Sequence, residues 1–207
     1  YIGIVLDEPE PDKIQAVKAE RDGNVYSQDC VEIMLDPNPD ADVYYHFVVN
    51  SRGCLYDSQV RSAGGLSDRT WNGRVTWASH VGPRSWSVEL AIPFAQLELN
   101  PDRPGAWRCN VTRSRRTAAT RVLSSFVPIN GSFHQPELFA PLRFEGTDLT
   151  SHLWQIDPPF DVRVTPAATG LQMVCSMMVR NRTGTFRFLT MEANHSTTAP
   201  EAKPVGV

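Results

Sequence analysis

The segment Tyr26-Ser-Gln-Asp-Cys-Val-Glu-Ile-Met-Leu-Asp36 decides how the rest of the chain is read. Val31, Ile33 and Leu35 alternate with Cys30, Glu32 and Met34. The first set is uniformly branched and apolar, and successive strand residues point to opposite faces, so that set faces a core. Glu32 then sits mid-strand on the other face. A carboxylate there is a strong acceptor for hydroxyl groups, because an ionised oxygen makes charge-assisted hydrogen bonds.

Outward from this strand, short apolar runs alternate with turn signals. Asp36-Pro-Asn-Pro-Asp-Ala-Asp42 breaks the chain before Val43–Asn50, and Ser51-Arg-Gly53 turns it into Cys54–Asp57. Strands are also expected over 1–7, 75–79, 85–92, 107–115 and 138–144. In the third of these runs Trp86, Val88, Leu90 and Ile92 share a face. Pro93 opens a short helical turn through Leu97. Residues 8–24, 58–70 and 116–137 read as loops. Trp71, Trp77, Trp86 and Trp107 read as packing residues, with Trp71 the most exposed of them.

Beyond Gly146 the composition shifts, and Asp157-Pro-Pro marks 147–160 as a linker. Further strands at 161–165, 171–179 and 185–191 start a second, partial β domain over 161–207. The fold class is therefore all-β, a β-sandwich of jelly-roll-like type over 1–146. Tyr1-Ile-Gly-Ile-Val-Leu6 reads as a strand already under way, so the domain is expected to be truncated at its N-terminus.

Composition narrows the function. The 207 residues carry a net charge of −3, which gives no electrostatic case for nucleic acid. No apolar run approaches the ~20 residues that cross a bilayer. No phosphate-binding glycine motif, Gly-x-Ser-x-Gly or His-Glu-x-x-His occurs, so the chain is not expected to be an enzyme. Glu32 and Asp29 are the one pair of carboxylates that resembles a glycosidase acid and base. Cys30, Cys54, Cys109 and Cys175 form no Cys-x-x-Cys pair and read as small buried hydrophobes in strands. Four Asn-x-Ser/Thr patterns occur, at Asn110, Asn130, Asn181 and Asn194.

Residues 1–146 resemble the family 9 carbohydrate-binding modules. Besides the opening segment, the resemblance lies in Tyr45-His-Phe-Val-Val-Asn50, Trp86-Ser-Val-Glu-Leu-Ala-Ile-Pro-Phe94, Trp107-Arg-Cys-Asn-Val111 and Pro136-Glu-Leu-Phe-Ala-Pro-Leu-Arg-Phe144. It implies a non-catalytic module that holds a mono- or oligosaccharide between two aromatic rings over a concave sheet. It further implies an exported protein, extracellular, periplasmic or on the cell surface, with other domains of the same polypeptide processing polysaccharide. Residue by residue, the rings map to Tyr26 and Phe133, and the polar contacts to Glu32 and Asn130. His46 and Asn50 share the ligand face of the next strand. Val48 stands where the family places an arginine, and Arg113 or Arg115 is expected to supply that cation from a neighbouring strand.

The family also binds structural calcium, and Asp36, Asn38, Asp40 and Asp42 alternate as oxygen ligands do in calcium loops. Two other readings stay open: a sandwich that serves only as a structural or interaction domain, and a haem-binding domain of the DOMON type using Met34 and His46.

Overall fold

The computed structural model describes residues 1–61, 65–167 and 170–181. Ten strands build the sandwich: β1 (Ile2–Asp7), β2 (Cys30–Asp36), β3 (Val43–Asn50), β4 (Leu55–Arg61), β5 (Leu66–Asp68), β6 (Thr76–Val81), β7 (Ser85–Ala91), β8 (Trp107–Arg116), β9 (Arg121–Ser125) and β10 (Ala140–Leu142). One sheet has the order β1-β7-β6. The other has the order β10-β8-β2-β3-β4-β5, and β9 also pairs with β8. All pairings are antiparallel.

The core lies where alternation places it. Val31, Ile33 and Leu35 from β2 meet Tyr45, Phe47 and Val49 from β3, and Trp86, Val88 and Leu90 from β7 close on them from the opposing sheet. Each fully buried aliphatic or aromatic side chain here contributes about 1.5–3 kcal/mol. Trp71 is not an exposed residue. It packs on the core, with its ring 4.9 Å from that of Tyr45 and 6.0 Å from that of Phe47. A Cβ at Gly73 would come within 2.8 Å of this indole, so glycine is required there.

Two strands escape the sequence. β5 is three exposed residues, and β9 is an edge strand exposed over Arg121–Ser124. Neither has an apolar face to announce it. β9 forms because the long β8 has a second edge: β10 pairs with Trp107–Cys109, and β9 with Thr112–Arg116. The 3-10 turns at Pro11–Lys13 and Phe94–Gln96 fall where proline opens a turn.

Beyond the sandwich, β11 (Trp154–Ala167) pairs with β12 (Gly170–Asn181). Asp157-Pro-Pro therefore lies inside a strand, at a register shift between Asp157 and Asp161 that accommodates residues without an amide donor. The strand expected at 185–191 lies outside the described residues.

The acidic turn after β2 is held by its own partners. Asp36 Oδ1 accepts from the Asn38 amide, and Asp40 accepts from Asn100 at 2.7 Å and from Arg103 at 2.5 Å. Among the described residues no three His, Cys, Asp or Glu side chains gather as a metal-ligand group.

Burial pushes the Asp36 carboxyl up to about 6. Its folded pKa exceeds its ordinary value of 3.8, so the folded state holds the proton more tightly, and stability falls as pH rises from about 4 through about 6. Asp36→Asn removes that cost and keeps the acceptor for Asn38. It is expected to raise stability at pH 7 by about 1–3 kcal/mol in urea titration, with the gain gone near pH 3.5.

Candidate functional site

The outer face of the large sheet is not open. Val25 and Ala19, from the loop before β2, cover Cys30, Val48, Cys54 and Tyr56 at one end. Phe133 and Phe139, from the loop before β10, cover Met34, Tyr44 and Val60 at the other. Every residue of β2 is consequently buried on both faces. Between the two covered zones runs a polar stripe of Thr112, Glu32, His46 and Ser58, with Ser67 beside it on β5. A cleft of about 410 Å³ opens over Glu32, His46 and Ser67 of this stripe. That size suits a small ligand.

Glu32 and His46 are 7% and 4% exposed and lie side by side, His46 Nε2 donating to Glu32 Oε2 at 2.8 Å. A buried carboxylate is tolerated only with such a partner. The His46 ring is packed edge-on against Tyr56 at 5.7 Å and His134 at 4.9 Å. His134 Nδ1 lies 2.5 Å from Tyr44 Oη. Burial, and then the neighbouring His46, hold the His134 pKa below the usual histidine value. A neutral ring that accepts from Tyr44 at Nδ1 carries its proton on Nε2, so it remains a donor.

Tyr26 and Phe133 line the same cleft as this pair. Tyr26 is 39% exposed, and its ring meets that of Tyr56 edge-to-face at 5.8 Å. The Arg69 guanidinium lies 5.9 Å from the Tyr26 ring and 5.6 Å from the Tyr56 ring, within cation–π range. Arg121 completes the lining, its Nε donating to Ser114 Oγ at 3.3 Å.

Four of the six residues taken from the sequence thus meet at one cleft: Tyr26, Glu32, His46 and Phe133. The other two do not line it. Asn50 is fully buried at the end of β3, where Oδ1 accepts from the Arg52 and Cys54 amides and Nδ2 donates to Val17 and Gln28. It builds the turn that Gly53 completes at φ +75°. Asn130 is exposed in the loop that carries Phe133, and its carbonyl accepts from Gln135.

Arg113 and Arg115 supply no cation to the cleft. Both face the other side of β8 and pair with Glu8, at 2.8 and 2.7 Å. The cleft's cations are Arg69 and Arg121, which stand in polar stretches with no pattern to single them out. His134 was equally hidden, being 88 residues from His46 in sequence and adjacent only in space. Tyr56 was within reach, since it shares strand parity with Ser58 and Val60 opposite His46 and Tyr44.

Met34 does not fit a haem ligand. It is fully buried beneath Tyr44, Val60 and Phe139, and His46 Nε2 is committed to Glu32. Asp29 does not fit a glycosidase partner for Glu32. It is fully buried, accepts from the Arg116 amide and pairs with Arg113. Cys30 and Cys54 are buried free thiols, and Cys109 is a half-buried one.

The comparisons with known proteins agree with this architecture. A carbohydrate-binding protein of provisional assignment from Bacteroides uniformis is similar in fold, with a TM-score of 0.53 and 24% identity over 64% of this chain and 68% of that one. A family 9 carbohydrate-binding module from Caldicellulosiruptor kristjanssonii, solved with cellotriose, is 20% identical over 66% of each chain, with a TM-score of 0.48. No curated protein sequence matches. The family model described as carbohydrate family 9 binding domain-like matches residues 12–146, the greater part of the chain. The chain therefore belongs to the carbohydrate family 9 binding domain-like family.

Proposed function

We propose that the chain is a non-catalytic module that holds a mono- or oligosaccharide in the cleft between Tyr26 and Phe133. The observation that carries this reading is the buried Glu32–His46 pair, opening into a cleft that two aromatic side chains also line. The two kinds of group suit the two kinds of surface on a sugar. The C–H faces of a pyranose are apolar and stack on rings, Tyr26 keeping a polar tip. The hydroxyls need acceptors and donors in fixed directions. Glu32 accepts, while His134 Nε2–H and the hydroxyls of Ser67 and Ser132, which line the cleft, donate. Because His46 and Tyr44 hold these groups in place, little ordering is needed on binding.

Membership of the family supports binding and not hydrolysis, and Asp29 is unavailable as a second carboxylate. The module would serve a larger exported protein that acts on polysaccharide. A glycan array of neutral and acidic mono- and oligosaccharides tests the reading. Retention of at least one class is expected. An array on which nothing is retained would leave the sandwich as a structural or interaction domain.

A further inference from the structure

The charges around the cleft are unevenly matched. Its lining includes one carboxylate, Glu32, which His46 already engages. It also includes two guanidiniums, Arg69 and Arg121. Elsewhere the half-buried Arg21, Arg113 and Arg115 are each tied to a carboxylate, and Arg116 donates to the Ser27 carbonyl. Among the described residues neither Arg69 nor Arg121 has a carboxylate within ion-pairing distance. The surplus is local, since the whole chain carries a net charge of −3.

Neither arginine is left to wander. Arg69 lies over the rings of Tyr26 and Tyr56, at the aromatic end of the site. Arg121 is anchored through Nε to Ser114, which leaves its terminal nitrogens free of that bond. A guanidinium presents a planar fork of donors that matches carboxylate and sulfate oxygens two at a time. Both arginines stand exposed at the mouth of the cleft, so their attraction for an anion is open to screening by salt.

We propose that the cleft selects acidic saccharides, Arg69 and Arg121 receiving a carboxylate or sulfate group on the sugar. This rests on the carbohydrate reading above and adds the ligand's charge class to it.

The test is an array that pairs uronic-acid glycans with their carboxyl-reduced forms and sulfated glycans with their desulfated forms, followed by calorimetric titration of the best pair. The acidic member is expected to bind about tenfold or more tighter at low ionic strength, with the margin shrinking as salt is raised. Which arm shows the margin distinguishes carboxylate from sulfate. In the Arg69→Gln/Arg121→Gln variant the acidic-to-neutral ratio should fall to within about threefold. Both positions are exposed, so the variant is expected to fold.

Neutral members that bind as well as or better than acidic ones would overturn the proposal while leaving carbohydrate binding intact. So would a double variant that keeps the full margin. Failure of every glycan, acidic and neutral, would remove the underlying reading and this proposal with it.

Discussion

Glu8→Ala is expected to lower the unfolding free energy by about 3–5 kcal/mol, read from the midpoint of a urea or guanidinium titration at pH 7. Glu8 follows β1 and is completely buried. Its carboxylate accepts from Arg113 Nη2 at 2.8 Å, from Arg115 Nε and Nη2 at 2.8 and 2.7 Å, and from the Glu10 amide at 3.0 Å. The arginines come from β8 in the other sheet, so this one side chain fastens the two layers. Without it, two guanidiniums remain in the interlayer edge, one of them against Trp86, with Asp29 their nearest buried carboxylate. Glu8→Gln keeps the shape without the charge and should fall between the two. A loss below about 1 kcal/mol would mean that the pairs are no better than surface ion pairs.

The same network sets the response to acid. Hydrogen bonding from Arg115 holds the Glu8 carboxyl at about 2, below its ordinary 4.5. A depressed carboxylate stabilises the fold fully above its unfolded pKa and loses that contribution as pH falls through the folded value. The Glu8 contribution should therefore fade between about pH 4.5 and pH 2. Asp29 runs the other way, since burial raises its pKa and penalises the ionised form. Wild-type stability should drop steeply across this interval, and Glu8→Ala should show a flatter profile.

The second large effect concerns the cleft. Glu32→Ala is expected to weaken binding of the sugar identified on the array by about 10–100-fold, the worth of a charge-assisted hydrogen bond in a shielded site. Tyr26→Ala removes a stacking face and should cost about 10-fold. Their combination should abolish measurable binding. Tyr26 is partly exposed, so its loss is expected to leave the melting temperature nearly unchanged. Glu32→Ala leaves His46 without its partner, and calorimetry on the folded variant separates lost binding from lost stability. Binding that survives the double variant would place the ligand elsewhere.

The apolar skeleton of this fold was legible because period-two alternation is a local signal. Val31, Ile33 and Leu35, and Trp86, Val88 and Leu90, identify their own core face without reference to any other residue. The site was half legible. Tyr26 and Glu32 share one continuous segment, and His46 follows on the next strand at a predictable parity. Asn50 has the same parity yet turns out to be a turn-builder, because parity gives a face and not a neighbour. Arg113 and Arg115 needed knowledge of which face of β8 meets Glu8, a contact across more than 100 residues. The loops covering Met34 and Cys30 were hidden for the same reason, and they turn an expected open concave sheet into a confined cleft. His134, Arg69 and Arg121 reach it only through tertiary folding.

The most direct test of the central claim is a heteronuclear NMR titration of the isotope-labelled chain with the best-retained glycan. The account predicts that the largest shift changes fall on Tyr26, Glu32, His46, Phe133 and His134, with the His46 and His134 ring signals moving together. Changes that instead gather on β1, β6 and β7 of the smaller sheet, with the cleft signals unmoved, would contradict it.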